Sequence, residues 1–241
     1  MARDINDVLI FRGDISPFLV HITRDKQVGT NVVMPAATVL RKIIRNKQLI
    51  AGDDAMSDSR FFIYSQQQRK DYCRAISFTE TPLNEIHSFL KIIGRSCNFE
   101  PYGLVFIKRK LCEKGVSPVF YINNEKADKL EVVEALCQWR NSAPEHAKQI
   151  LPLISSFGKR LLTEKEIDFS WEREWRYPSV NGNLEFDEDD VFVGICPHDE
   201  ISQFQSLIPG VPFVDCQRNM KWYAKKLISA RQHHDLKYPV V

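Results

Sequence analysis

The sequence predicts an α+β fold, formed as one domain over residues 1–241. Apolar, β-branched runs that favour strands are separated by helical segments at irregular spacing. This order suits an α+β domain better than a regular βαβ alternation. No GxGxxG or GxxxxGK[ST] loop is present, so a doubly wound, phosphate-cradling sheet is the weaker choice. No linker rich in Pro, Gly or Ser divides the chain, and one core is expected at this length.

The composition is that of a globular protein and excludes several classes. Apolar residues make up 44% and charged residues 27%, which gives no case for disorder. The formal charge of +2 is too small to indicate nucleic-acid binding from bulk electrostatics, although a local basic face stays open. No apolar run approaches the roughly 20 residues of a spanning helix, and no signal peptide begins the chain. We therefore expect a cytoplasmic protein with no membrane partner.

The six cysteines predict reduced thiols. They lie at wide, irregular intervals without a CxxC pair, which fits core thiols better than a disulfide framework or a zinc site. The adjacent pair His233 and His234 points its side chains in different directions, so we expect no structural metal.

The predicted elements follow from apolar periodicity, with turns at Gly and Pro. Gly52 is the expected cap of the first helix, and Gly115 favours a turn. Between the first helix and the second strand, the polar stretch at 53–74 has the length of a functional or mobile loop. The acidic stretch at 181–190 is the expected hairpin end between the last two strands. In chain order the expected strands are 18–23, 74–79, 102–107, 116–122, 169–176 and 190–196, and the expected helices are 36–50, one from Pro82, 125–162 broken near Pro144, and 219–230.

The first polar group stands at the end of the first strand. His21 and Thr23 can hydrogen-bond a ribose hydroxyl or an amide without titrating. A histidine satisfied within the core is the alternative reading of the same residues.

The second polar group lies where the second strand turns into a helix. Phe78, Thr79, Glu80 and the hydroxyl of Thr81 precede Pro82, so hydroxyls, a carboxylate and free backbone N–H groups come close together. Such a terminus can hold an anionic or amide-bearing ligand, and a simply capped helix is the alternative.

The third polar group is the segment Trp171 to Pro178. Strand alternation predicts that Glu172, Glu174 and Arg176 share one face, while the tryptophans and Arg173 share the other. Two carboxylates and a guanidinium on one face are expensive to arrange for stability alone, although a surface salt-bridge ladder is the alternative.

Taken in chain order, these three groups resemble the ADP-ribosyltransferase fold, and within it the DarT-like bacterial toxins and the abortive-infection proteins grouped as AbiGi. The resemblance implies a split antiparallel β-sheet core with flanking helices, and NAD as co-substrate. By its motifs, His21 and Thr23 contact the ribose, and Phe78 and Thr79 lie near nicotinamide. Glu174 is implied as the catalytic carboxylate, with Glu172 or Glu80 as helpers. The implied arginine is Arg60, with Arg74 as a competitor.

The resemblance further implies a mono-ADP-ribosyltransferase that modifies a nucleic acid, RNA before single-stranded DNA. The chain also resembles the mRNA-modifying toxins of phage-defence toxin, antitoxin and chaperone systems. It would then act as a growth-arresting toxin, with an antitoxin protein and a chaperone as partners. A catalytically inactive binding module or antitoxin is the alternative, and a protein acceptor stays open. The candidate nucleic-acid contacts are Lys108, Arg109, Lys110, Lys225 and Lys226.

Overall fold

The computed structural model describes residues 15–28, 31–51, 67, 71–91, 99–123, 129–159, 166–168 and 170–236. The strands are β1 Phe18–Ile22, β2 Lys26–Val28, β3 Asn31–Met34, β4 Gln48–Leu49, β5 Ala75–Thr79, β6 Gly103–Ile107, β7 Ser117–Pro118, β8 Phe120–Asn123, β9 Ile154–Lys159, β10 Glu166–Ile167, β11 Glu174–Pro178, β12 Leu184–Glu185, β13 Val191–Ile195 and β14 Phe213–Val214. The α-helices are α1 Ala36–Asn46, α2 Ile86–Leu90, α3 Lys108–Glu113, α4 Lys129–Ser142, α5 Pro144–Ile150, α6 Ile201–Leu207 and α7 Ala224–His233. The predicted α+β class is confirmed.

The chain forms two compact units. Unit 1 takes its described residues from Met1–Gln48, Glu80–Leu111 and Glu185–Val241, and unit 2 takes them from Leu49–Thr79 and Cys112–Leu184. The single domain over 1–241 stays a prediction.

Unit 1 contains mixed sheet in the strand order β14-β13-β6-β1. β6 pairs antiparallel with both β1 and β13, whereas β13 pairs parallel with β14. Every residue of β6 and β13 is buried, as expected for inner strands covered on both faces. At Gly194 a Cβ would overlap the ring of Phe213, so β13 and β14 can pair this closely only with glycine at this position.

The core of unit 1 is built from β1, β6, β13, α2 and α7. The rings of Phe18 and Phe192 stack with their centroids 4.1 Å apart. Ile86 and Phe89 of α2, with Tyr223 and Ala230 from the C-terminal region, pack in the same apolar cluster.

Unit 2 contains antiparallel sheet in the order β5-β11-β7 and a separate sheet in the order β10-β9-β8. β11 pairs antiparallel with both β5 and β7, and β8 pairs parallel with β9. Ala147, Leu151 and Ile154 form a small buried cluster, against which Ile122 and Trp139 pack.

Most predicted strands are confirmed within one or two residues, and so is the turn at Gly115, whose φ is +99°. The first helix ends earlier than expected, because Lys47 takes a left-handed cap conformation with φ 49°. The expected cap, Gly52, lies outside the described residues. The strand expected at 116–122 divides into β7 and β8, which pair with different strands. The helical region expected to reach 162 gives way to β9 at Ile154.

The acidic stretch at 181–190 is not the predicted hairpin end. β11 pairs with β5 and β7, while β13 pairs with β6 and β14, so the strands on either side of it are not partners. The stretch holds β12 and a short 3₁₀ turn, Glu188–Asp190, closed by a capping box between Asp187 and Asp190. Over the described ranges, no helix is long and apolar enough to cross a membrane.

Candidate functional site

A polar face on β5, β11 and β7 of unit 2 forms the candidate site. In the strand register Glu174 lies opposite Thr79, and Arg176 lies opposite both Ser77 and Ser117. Directly opposed residues of antiparallel strands project on the same side, and alternation puts residues two apart on that side too. Five polar side chains therefore share one face across three adjacent strands.

Glu174 and Arg176 form a bidentate ion pair at the centre of this face. The Arg176 Nε lies 2.9 Å from Glu174 Oε1, and its Nη2 lies 2.8 Å from Oε2. The side chains are only 13% and 16% exposed, respectively, so water screens the pair weakly. The planar fork of the guanidinium fixes the plane and direction of the carboxylate.

Arg176 is itself held by the backbone. Its Nη1 donates to the carbonyl of Pro152 at 2.8 Å and to that of Ile154 at 3.3 Å. A carboxylate offers about four lone-pair positions, of which the guanidinium occupies two. The arrangement thus presents a fixed, charged carboxylate that retains acceptor capacity.

Tyr121 from β8 adds a hydroxyl beside Glu174. The hydroxyl oxygen accepts a hydrogen bond from the Glu174 backbone N–H, with 3.4 Å between the heavy atoms. Burial, and then the negative charge of Glu174, raise the pKa of Tyr121 well above its ordinary value. Tyr121 is therefore a neutral hydroxyl at physiological pH.

A tight turn leads the chain into Glu174. The 3₁₀ turn Ser170–Glu172 is followed by Arg173, whose φ of 48° lies in the left-handed region. The carboxylate of Asp168 accepts from the Ser170 backbone N–H at 2.8 Å, and bonding to Ser170 lowers the pKa of Asp168. The hydroxyl of Thr79 donates to the carbonyl of Glu172 at 2.6 Å, which ties the turn to β5.

This turn overturns the predicted strand at 169–176. β11 begins only at Glu174, so Trp171 and Glu172 do not follow the alternation, although Glu174 and Arg176 do share a face. The left-handed backbone of Arg173 departs from the extended conformation and breaks the two-residue period. The backbone carbonyl of Glu172 accepts the hydrogen bond from Thr79, and the charge of its carboxylate contributes to the raised pKa of Tyr121.

The remaining predicted residues of unit 2 are placed as follows. Phe78 is 3% exposed and lies opposite Trp175 in the register. The Arg74 Nη2 donates to the carbonyl of Ala51 at 2.6 Å. Arg60 lies outside the described residues.

His21 and Thr23 lie in unit 1. His21 is half-buried in β1, opposite Leu104. Thr23 is 3% exposed, and its hydroxyl lies 3.2 Å from the carbonyl of Ala36 and 3.1 Å from that of Tyr102. The Thr23 hydroxyl is thus engaged with the backbone that joins β1 to α1 and β6.

Glu80 and Lys108 form a buried ion pair in unit 1. The Lys108 Nζ lies 2.7 Å from Glu80 Oε1, and each side chain is 10% exposed. Lys108 was predicted as a nucleic-acid contact, but its ammonium points into the unit toward Glu80. Arg109 is exposed, and the Lys110 Nζ donates to the carbonyl of Asp189 at 2.7 Å.

Lys225 and Lys226 lie along a cleft of about 390 Å³ in unit 1. The cleft is bounded by α7 and the segment 209–212, and His233 and His234 also line it. Two of the five predicted basic contacts therefore meet at one concave surface.

The sequence did not assign roles to Arg176 and Tyr121. Alternation placed Arg176 on the face of Glu174, so the Glu-x-Arg spacing was a usable signal for an ion pair. Tyr121 carried no such signal, because its partner lies 53 residues further along the chain.

The described cysteines Cys73, Cys112, Cys137, Cys196 and Cys216 are free thiols. Burial raises the pKa of Cys196 and of Cys216 to about 12, so neither is a thiolate at neutral pH. Within the described part of the chain, no group of three His, Cys, Asp or Glu side chains could hold a metal ion.

The comparisons with known proteins return no relative. The chain matches no protein-family model, and neither a curated protein nor a solved structure matches it.

Proposed function

We propose that this protein is an NAD-dependent mono-ADP-ribosyltransferase that modifies a nucleic acid, with an ADP-ribosyltransferase-like fold and Glu174 as its catalytic carboxylate. The observation that carries the proposal is the fixed Glu174 carboxylate on a face shared with the hydroxyls of Ser77, Thr79 and Ser117. The resemblance of the three sequence motifs to the DarT-like toxins supplies the reaction class.

The chemistry needs a negative charge held in a fixed position. Cleavage of the bond between nicotinamide and ribose builds an oxocarbenium-like cation, and a carboxylate near the ribose stabilises charge that exists mainly in the transition state. A carboxylate oriented in advance does so without reorganisation. The lone pairs of Glu174 that Arg176 leaves open can accept a hydrogen bond from a ribose hydroxyl.

Arg176 is a positioning residue in this proposal. Its bidentate grip fixes the carboxylate, and its bonds to the carbonyls of Pro152 and Ile154 fix the guanidinium. The neutral Tyr121 hydroxyl supplies a further polar group beside Glu174. The roles of His21, Thr23, Phe78, Arg60 and Arg74 toward NAD stay predictions.

The second candidate is a catalytically inactive binding module or antitoxin of an abortive-infection system. One observation favours it: the Glu174 charge is already matched by a buried guanidinium, as in a structural ion pair. In this candidate the pair fastens β11, and NAD is not turned over.

The experiment that separates the candidates follows labelled NAD in the presence of RNA, single-stranded DNA or lysate protein. Wild type, Glu174→Gln and Glu174→Asp are compared with Glu131→Gln, which removes one exposed carboxylate from α4 of the same unit. We expect Glu174→Gln to lower the transfer rate by about 100-fold or more. Glu174→Asp keeps the charge but retracts the carboxylate, so it should also lose most activity. Glu131→Gln should behave as wild type.

Two further measurements make the result decisive. Because Glu174→Gln weakens a buried ion pair, each variant is assayed at a temperature well below the midpoint of its own thermal unfolding. Arg176→Lys keeps the positive charge but loses the fork, and should lower kcat more than it raises KM. No transfer and no nicotinamide release by wild type with any acceptor would leave the binding module as the function.

Growth arrest is the biological readout of the same proposal. Induced expression should arrest growth for wild type and Glu131→Gln but not for Glu174→Gln at equal soluble protein. We further propose that a neutralising antitoxin, and a chaperone, act on this protein in phage defence. Arrest that persists in Glu174→Gln would exclude the transferase as its cause.

A further inference from the structure

The cleft along α7 combines a concave shape with two lysines at one end of the helix and a histidine at the other. Lys225 and Lys226 lie in its first turn, and His233 lies at its C-terminal end. Gln205 and Ser229 add neutral hydrogen-bonding groups to the lining. A groove of this make-up is suited to an anionic ligand with several separated charges.

Two carboxylates near the cleft, those of Glu188 and Asp189, have lysine neighbours. Glu188 lies beside Gly210, and Asp189 lies 3.8 Å from the His233 ring nitrogen. Lys47 lies 3.8 Å from Glu188, and Lys110 bonds the carbonyl of Asp189. With Lys225 and Lys226, four ammonium groups therefore stand against two carboxylates.

An exposed indole stands one turn before these lysines. Trp222 is 73% exposed and lies in the 3₁₀ turn that runs directly into α7. It precedes Lys225 and Lys226 by three and four residues, a spacing that favours the same side of a helix. An exposed aromatic ring beside backbone-binding cations is the arrangement that single-stranded nucleic acids occupy, with bases stacked on rings and phosphates on cations.

We propose that the cleft along α7 binds single-stranded nucleic acid, with phosphodiester groups at Lys225, Lys226 and His233 and a base stacked on Trp222. This inference deepens the proposed function, and rests on it, because it names a surface of unit 1 that binds the class of acceptor. The binding itself is measurable without NAD.

The test is fluorescence anisotropy with a labelled, unstructured 12-nucleotide RNA, titrated at several salt concentrations without NAD. Lys225→Gln should weaken binding several-fold and reduce the slope of log affinity against log salt by about 0.7, the value for one phosphate contact on a single strand. Trp222→Ala should weaken binding about fivefold or more at every salt concentration while leaving that slope unchanged. Lys226 is not the first choice, because its Nζ bonds the carbonyl of Phe213.

Lys42→Gln is the matched control, because it removes one exposed lysine from α1 of the same unit that is not among the residues lining the cleft. It should retain the wild-type affinity and salt slope. Equal affinities for Lys225→Gln and Lys42→Gln would overturn the inference. So would equal binding of the oligonucleotide and of inorganic phosphate as competitors, since the cleft would then hold only a single anion.

The transfer assay and the RNA-binding assay together distinguish a wrong acceptor surface from a wrong reaction. If Glu174→Gln abolishes transfer while Lys225→Gln and Trp222→Ala bind RNA as wild type does, only the assignment of the acceptor surface is wrong. If wild type turns over no NAD while Lys225→Gln and Trp222→Ala lose RNA binding, the cleft is a nucleic-acid site on a protein that is not a transferase.

Discussion

At the scale of single residues, two carboxylate–cation pairs differ in their surroundings. Glu174 and Arg176 lie two residues apart on the polar face of β5, β11 and β7, with acceptor positions left on the carboxylate. Glu80 and Lys108 lie 28 residues apart in the chain and are more deeply buried. The first pair suits a site, whereas the second suits a structural link that joins the end of β6 to the chain after β5.

We expect the Glu80–Lys108 pair to contribute to the free energy of unfolding. Lys108→Met leaves the Glu80 carboxylate buried without its cation, and should lower the free energy of unfolding by about 3–5 kcal/mol. The double variant Glu80→Leu, Lys108→Met removes both charges and should recover most of that loss. Chemical denaturation of the wild type, both single variants and the double variant gives the coupling energy. Additive losses in the double variant would show that the two groups do not act as a pair.

At the scale of elements, the boundaries depend on a few residues with left-handed backbone. Lys47 ends α1 with its N–H bonded to the carbonyls of Ile43 and Ile44. Arg173, which also has left-handed backbone, directly precedes β11 and marks its start. Neither residue is a type that favours positive φ, so the sequence did not mark either boundary.

Lys47→Gly should stabilise the protein. Glycine adopts φ 49° without a Cβ penalty, and it is the preferred residue at this cap position. The 3.8 Å contact between Lys47 and Glu188 is exposed, so its loss costs little. We expect a gain of about 0.5–1 kcal/mol in the free energy of unfolding. Lys47→Val should lose stability instead, and a less stable Lys47→Gly in thermal melts would contradict the assignment of the cap.

At the scale of the whole molecule, the chain builds two compact units, each from separated segments. Unit 1 has a large apolar cluster, and unit 2 has a smaller one around α5 and β9. The net charge of the chain is only +2, yet Lys225 and Lys226 lie side by side along α7. Bulk charge therefore says little about partners, whereas its distribution in unit 1 says more.

The pH dependence of stability should include a contribution from His234. Burial, and then the neighbouring His233, lower the pKa of His234, whose Nε2 donates to the carbonyl of Val191 at 3.1 Å. Because the unfolded chain takes up this proton first, the contribution is complete above the ordinary histidine pKa of about 6.5 and is lost as pH falls through the lower folded value.

His234→Gln removes this titration, so the unfolding midpoint should fall less between pH 7 and pH 5 than it does in wild type. His146→Gln is the matched control, because it removes an exposed histidine from α5. Parallel pH curves for wild type and His234→Gln would exclude His234 as a source of acid sensitivity.

The candidate site was only partly predictable from sequence. Alternation in β11 correctly put Glu174 and Arg176 on one face, because that period depends on local backbone geometry alone. It failed for Glu172, because a 3₁₀ turn and a left-handed residue precede the strand. Ser117 joins the face through strand pairing with Arg176, and Tyr121 contacts Glu174 through a hydrogen bond to its hydroxyl. Both contacts link residues more than 50 positions apart in the chain.

The α+β class, most strand positions and the shared face of Glu174 and Arg176 are predictable from the amino-acid sequence, since they depend on periodicity and residue type. Two placements depend on packing between distant segments: Lys108 turns inward to Glu80, and Lys225 and Lys226 line a cleft with His233. A lysine can extend over apolar surface or pair with a carboxylate, and its neighbours in space make that choice. Those neighbours come from distant segments, and no local pattern in the chain records them.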